Sequence, residues 1–228
     1  MTRITTCIFD AYGTLFDVSA AARALAGEAG RERLAAVWQQ VAADWRAKQL
    51  EYSWLRAVTG DYCDFWQLTE DGLDWALERA GLTDADLRRA LLGLYWRLAA
   101  YPEVPGVLAR LKAGGMTCAI LSNGSPAMLE GAVSSAGIGA HLDAVLSVAE
   151  VGTFKPDARV YDMVCARFGG SPGAVLFVSS NGWDIAAAAA YGFRTLWVNR
   201  AGMPVDRLPG RPHDVAADLT AVPEMLEV

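Results

Sequence analysis

Five short runs of this chain, residues 4–9, 117–121, 145–147, 175–179 and 195–198, are rich in β-branched and apolar residues, and helix-forming sequence fills the intervals between them. Several are apolar without interruption. A strand with one wet face alternates polar and apolar residues, whereas a parallel strand covered on both faces does not. The runs therefore predict a parallel sheet between two helical layers, a doubly wound (Rossmann-like) α/β fold. Residues 106–114 and 126–137 read as crossover helices ending at glycine, and Asp184 opens an alanine-rich helix that stops near Gly192.

One stretch breaks the alternation. Residues 18–95 contain helical spacing and no convincing strand, with Trp38, Trp45, Trp54, Trp66 and Trp75 inside the stretch and Trp96 at its edge. Aromatic residues at that spacing are expected to pack rather than to bind a cofactor. The expected organisation is a discontinuous α/β core of residues 1–17 and 96–228 with an inserted helical cap of residues 18–95.

With 228 residues, 53% apolar and 20% charged, the chain is long enough to bury a core without staples. Its net charge of −6 argues against nucleic acid or an anionic membrane as partner, so an anionic substrate must be drawn by local cations. Cys7, Cys63, Cys118 and Cys165 form no CxxC pair and read as buried thiols rather than a zinc site. No signal sequence precedes the first run and no apolar stretch approaches a bilayer's thickness, so the expected location is cytoplasmic.

Chemistry gathers where the runs end, the edge at which open α/β sheets bind ligands. Asp10 closes the first run and opens the turn Ala11-Tyr12-Gly13-Thr14. The second run ends in Ser122-Asn123-Gly124-Ser125, which is either a pair of neutral anion-binding groups or an ordinary turn and helix cap. Lys155 follows the third run, before a proline able to start a helix. It reads as a solvated surface cation or as the partner that keeps Asp10 ionised. The fourth run leads into Ser179-Ser180-Asn181-Gly182-Trp183-Asp184, where Asp184 is the clear acid and could equally serve a helix dipole.

The segment Asp10-Ala11-Tyr12-Gly13-Thr14-Leu15-Phe16-Asp17 resembles the first motif of the haloacid dehalogenase superfamily. Phosphatases of that superfamily carry a second aspartate where this chain has Tyr12, and acidic residues where it has Ser180 and Asn181. The site thus looks too poor in carboxylates for Mg²⁺. The resemblance narrows to the L-2-haloacid dehalogenases through the stretch from Trp45 to Arg56, Ser122 to Pro126, and Ser179 to Asp184.

That resemblance implies hydrolytic removal of halide from small anionic L-2-haloacids with inversion at C2, without metal or other cofactor, by a homodimer. Asp10 is the implied nucleophile. Arg46, Asn123 and Trp183 form the halide cradle, while Ser122, Lys155 and the N–H groups near Ala11 and Tyr12 take the substrate carboxylate. Thr14, Ser179, Asn181 and Asp184 place the water, and Tyr12, Gln49, Leu50, Phe65, Tyr161 and Trp183 wall the alkyl group. A magnesium-dependent small-molecule phosphatase on the same fold is the alternative. A noncatalytic binding protein is the third reading, disfavoured because binding alone requires neither a nucleophile nor water-positioning groups.

Overall fold

A computed structural model describes residues 3–228. Six strands form one sheet, every pairing parallel, in the order β3-β2-β1-β4-β5-β6. They are β1 (Thr6–Phe9), β2 (Thr117–Ser122), β3 (Ala144–Ser147), β4 (Val175–Ser179), β5 (Arg194–Val198) and β6 (Asp214–Ala216). The five expected runs are β1 to β5. All residues of β1 and β4 are buried, which is why their sequences do not alternate. Full burial of Ile8, Phe9 and Phe177 contributes about 1.5–3 kcal/mol for each side chain. β6 was not expected from sequence: its three residues, Asp-Val-Ala, none of them buried, carry no apolar run.

Between β1 and β2 lie α1 (Ala20–Ala26), α2 (Glu32–Ala35), α3 (Trp38–Thr59), α4 (Phe65–Arg79), α5 (Ala85–Tyr95) and α6 (Val104–Ala113). The sheet crossovers continue with α7 (Pro126–Ala136), α8 (Ala158–Phe168) and α9 (Gly182–Tyr191), and α10 (Ala221–Met225) lies near the C-terminus. α3 and α4 pack along each other, with Gly72 pressed on Trp45, where an added methyl group would come within 3.3 Å of the indole. Asp64 starts α4 and Asp84 starts α5, each accepting a hydrogen bond from an N–H of the helix's own first turn.

Three local expectations change. α8 begins at Ala158 rather than at Pro156, because Asp157 caps it by accepting from the N–H of Arg159. α9 begins at Gly182, so Asp184 lies inside its first turn. Cys7 and Cys118 are buried as expected, but Cys63 and Cys165 are half-buried.

The tryptophans divide. Trp45 is buried and donates to the carbonyl of Thr69 at 2.7 Å. Trp38, Trp66 and Trp96 pack partly exposed against the core, and Trp75 lies 4.5 Å beneath the Lys48 ammonium. Trp54 instead leans on Trp183, at the strand-end edge of the sheet.

Candidate active site

Asp10 follows directly on β1 and its carboxyl group is buried. Gly13, at φ 89°, takes the left-handed conformation that folds the chain back so that the Thr14 hydroxyl donates to Asp10 Oδ2 at 2.9 Å. The Asn181 amide donates to the same oxygen at 2.9 Å. The other oxygen, Oδ1, faces the Lys155 ammonium at 3.3 Å. One carboxylate oxygen is thus held by two neutral donors, and its twin is held only by a long contact to a cation.

Lys155 is 1% exposed, so the surface-cation reading fails. Its ammonium also donates to Asp184 Oδ2 at 2.8 Å, and Asp184 Oδ1 accepts from the Tyr161 hydroxyl at 2.8 Å. Burial works against charge on Lys155, but the Asp184 and Asp10 carboxylates outweigh it and hold the lysine above its ordinary pKa. Burial raises Asp184 above the usual carboxylate range, the Lys155 cation only partly offsetting it. One ammonium shared by two carboxylates leaves a negative charge uncompensated, and the more deeply buried acid carries the consequence. Tyr161, buried beside that acid, is pushed well above its normal value.

The turn after β2 also resolves. Ser125, not Ser122 or Asn123, caps α7, leaving the latter two for other work. Ser122 Oγ accepts from the N–H of Gly124 at 3.1 Å, and Asn123 Oδ1 accepts from the N–H of Lys155 at 2.9 Å. Gly124 is required here, since a Cβ would lie 2.7 Å from the Tyr12 ring. That ring stacks on Tyr95 and Phe65, with centroids 5.7 and 6.4 Å distant. Burial keeps the Tyr12 phenol protonated, its pKa well above normal. The N–H groups of Ala11 and Tyr12 make no hydrogen bond among the described residues.

Arg46 reaches from α3 across to the strand ends. It makes long contacts with the Tyr12 carbonyl at 3.3 Å and Asn181 Oδ1 at 3.4 Å. Together with Leu50, Phe65 and Trp183 it closes a cavity over Asp10, Tyr12, Ser122, Asn123 and Lys155. The cavity is 10 Å³, room for about one water molecule.

Nine of the expected site residues therefore line one cavity, and the others do not. Thr14 and Asn181 donate to Asp10 outside the cavity lining, Asp184 shares Lys155 with it, and Ser179 Oγ accepts from the N–H of Asn181 at 3.1 Å. Ala11 is buried and offers only its backbone. Gln49 does not belong to the wall: its amide donates to Thr69 and to Tyr95, at 2.9 and 3.2 Å, inside the helical layer. Tyr161 is likewise no wall residue, because it stands behind Asp184.

Two supporting residues escaped sequence reasoning. Tyr95 backs the Tyr12 ring, with no local signal to single it out. Arg200 donates to the Thr14 carbonyl at 3.1 Å and to Glu103 at 2.6 Å. It follows β5, so the strand-end rule that selected Asp10 could have found it. Among the described residues, no three His, Cys, Asp or Glu side chains gather as a metal site.

Residues 4–192 match the haloacid dehalogenase-like hydrolase family. The chain is 44% identical over 229 residues to (S)-2-haloacid dehalogenase 1 of Pseudomonas sp. (strain CBS-3), covering 99% of this chain and 98% of that protein. A crystal structure of a dehalogenase with an intermediate complex superposes with a TM-score of 0.94 at 38% identity, covering 99% of this chain and 98% of the other. An L-2-haloacid dehalogenase from Xanthobacter autotrophicus, solved with chloropropionic acid covalently bound, superposes with a TM-score of 0.85 at 35% identity, covering 98% of both chains. With its strand-end aspartate, buried lysine and closed cavity, the chain belongs to the haloacid dehalogenase-like hydrolases, alongside the L-2-haloacid dehalogenases.

Proposed function

We propose that this protein hydrolyses L-2-haloacids to D-2-hydroxyacids through an ester on Asp10. The observation that carries the reading is the unequal treatment of the two Asp10 oxygens beneath a small cavity lined by cations and amides on one side and by Leu50, Phe65 and Trp183 on the other. Oδ2 is occupied by Thr14 and Asn181, whereas Oδ1 meets only a long contact from Lys155 and is the better placed to attack. It displaces halide in line from C2: the C–O bond forms, the C–X bond breaks and the electron pair leaves with the halide. The covalently bound chloropropionic acid in the Xanthobacter relative supports such an ester.

Water then attacks the carboxyl carbon of Asp10, the Cγ–Oδ1 bond breaks, and Oδ1 leaves on C2 as the product hydroxyl, taking up the proton that the water gives to Asp184. Asp184, whose affinity for a proton burial raises, takes one from that water. Charge that develops on Oδ2 falls where Thr14 and Asn181 already donate, so both residues act as a small oxyanion hole. Ser122, Lys155 and the free N–H groups of Ala11 and Tyr12 hold the substrate carboxylate. Arg46, Asn123 and one edge of Trp183 receive the halide, while Leu50, Phe65 and the rest of the Trp183 ring face the alkyl group.

No divalent metal enters this scheme. The two carboxylates at the site, Asp10 and Asp184, share the Lys155 ammonium, and the groups beside them are hydroxyls and amides, a poor set for Mg²⁺. We assign the strand-end chemistry to a core of residues 1–17 and 96–228, and closure over it to a cap of residues 18–95. We place the enzyme in the cytoplasm, in keeping with four free cysteines, and expect a homodimer by family likeness.

The decisive experiment is single turnover in ¹⁸O-water with excess enzyme. Label should enter Asp10 and be absent from the first product, and that product should be the D-2-hydroxyacid. Label arriving directly in the first product, or retained configuration at C2, contradicts the ester.

A further inference from the structure

The catalytic cavity ends at Trp183, and the other side of the same indole faces a much larger space. A groove of 1020 Å³ runs between α3 and α9, against 10 Å³ in the catalytic cavity. Trp54, Ala57 and Val58 form one wall, and Ala186, Ala187 and Ala190 lie along the other. Counting from Trp183, those alanines fall three, four and seven residues on, one face of the helix, so methyl groups take the place of longer side chains along it. No lysine or arginine lines the groove, so it suits an uncharged apolar group rather than a second anion.

Two rings form the partition. Trp54 meets Trp183 edge to face, with centroids 5.4 Å apart and planes at 80°. Both indole N–H groups are buried without an acceptor among the described residues, which a pair kept only for packing ordinarily avoids. Swinging either ring toward the groove mouth would give its N–H access to water and join the two spaces.

We propose that Trp54 and Trp183 form an aromatic gate on the substrate's alkyl side, and that the groove receives the tail of longer 2-haloacids, making Trp54 a specificity-determining residue. The proposal rests on the dehalogenase reading. The head group remains at Ser122 and Lys155 with C2 over Asp10, and the chain beyond the first carbons passes Trp183. No bond changes in the groove.

The test compares kcat/KM for L-2-bromooctanoate with that for L-2-bromopropionate. Ala190→Trp fills an exposed part of the groove and should lower the ratio by about tenfold or more, the scale of discrimination an apolar pocket provides. Trp54→Ala removes one leaf of the gate and should raise the ratio by about tenfold. A ratio unmoved in either variant overturns the assignment. An unmoved ratio with an altered sedimentation coefficient in Ala190→Trp would mark the groove as a contact between copies of the chain, and also overturns it. Bromide release from neither substrate by the wild type would instead count against the dehalogenase reading itself.

Discussion

Replacing Lys155 with methionine removes the cation that two buried carboxylates share, at nearly constant side-chain volume. The ammonium lies 3.3 Å from Asp10 and 2.8 Å from Asp184, and the three side chains are 1%, 8% and 0% exposed. Without it the carboxylates lose their common counter-ion where water cannot replace it, and the least costly relief is to protonate one. For a carboxylate of ordinary pKa about 3.9, taking up a proton at pH 7 costs about 4 kcal/mol, which caps the stability lost. At pH 5 the same step costs about 1.5 kcal/mol. The cap agrees with the roughly 3–5 kcal/mol lost when one partner of a buried pair is removed.

In the wild type Lys155 is held above its ordinary pKa, so its stabilisation is complete below about pH 10.4 and is lost as pH rises through the folded value. Asp184 is also raised, so its contribution is present below about pH 3.9 and is lost as pH rises through its own folded value. Removing Lys155 raises that acid further and widens the window. Urea unfolding of Lys155→Met should therefore show a deficit of up to about 4 kcal/mol at pH 7 that largely closes by pH 5. In parallel, kcat/KM at pH 7 should fall by about 10²–10³. Equal stability of the two proteins at both pH values would refute the shared-cation account.

Three further outcomes are expected. Tyr161→Phe deletes a hydroxyl that donates to Asp184 at 2.8 Å and favours its ionised form, so Asp184 should titrate still higher and the rising limb of the pH–kcat profile should move to higher pH. An unmoved limb argues against Asp184 as the base. Thr14→Val removes one donor to Asp10 Oδ2, so ester hydrolysis should slow by about 10²–10³ and the covalent adduct should accumulate in intact-protein mass spectra. Exhaustive treatment with EDTA should leave halide release unchanged; loss of activity restored by Mg²⁺ would return the phosphatase-like reading to consideration.

Residues close in sequence or constrained by a strand end were legible without the fold. The continuous apolar character of 4–9 and 175–179 announced buried parallel strands, and a carboxylate at the end of the first was sufficient to find Asp10. Residues whose roles depend on what lies opposite were not. Gln49 looked like a cleft residue until Thr69 and Tyr95 claimed its amide, and Tyr161 looked like a wall until its hydroxyl met Asp184. β6 escaped because an edge strand of three residues, none buried, needs no apolar run.

The sequence by itself determined the fold class, the edge of the sheet where chemistry gathers, and the uncharged residues Tyr12, Ser180 and Asn181 in the turns after the first and fourth strands. These depend on local periodicity and residue type, which the chain carries along its length. Only the tertiary structure decided that Lys155, 145 residues from Asp10, bridges that acid to Asp184, and that Asn181 donates to Asp10 across 171 residues. It also decided which Asp10 oxygen has only the long contact to Lys155, and that Trp54 meets Trp183 between a closed cavity and an open groove. Burial, desolvation and hydrogen-bond geometry belong to pairs of residues brought together by folding, and no spacing along the chain specifies them.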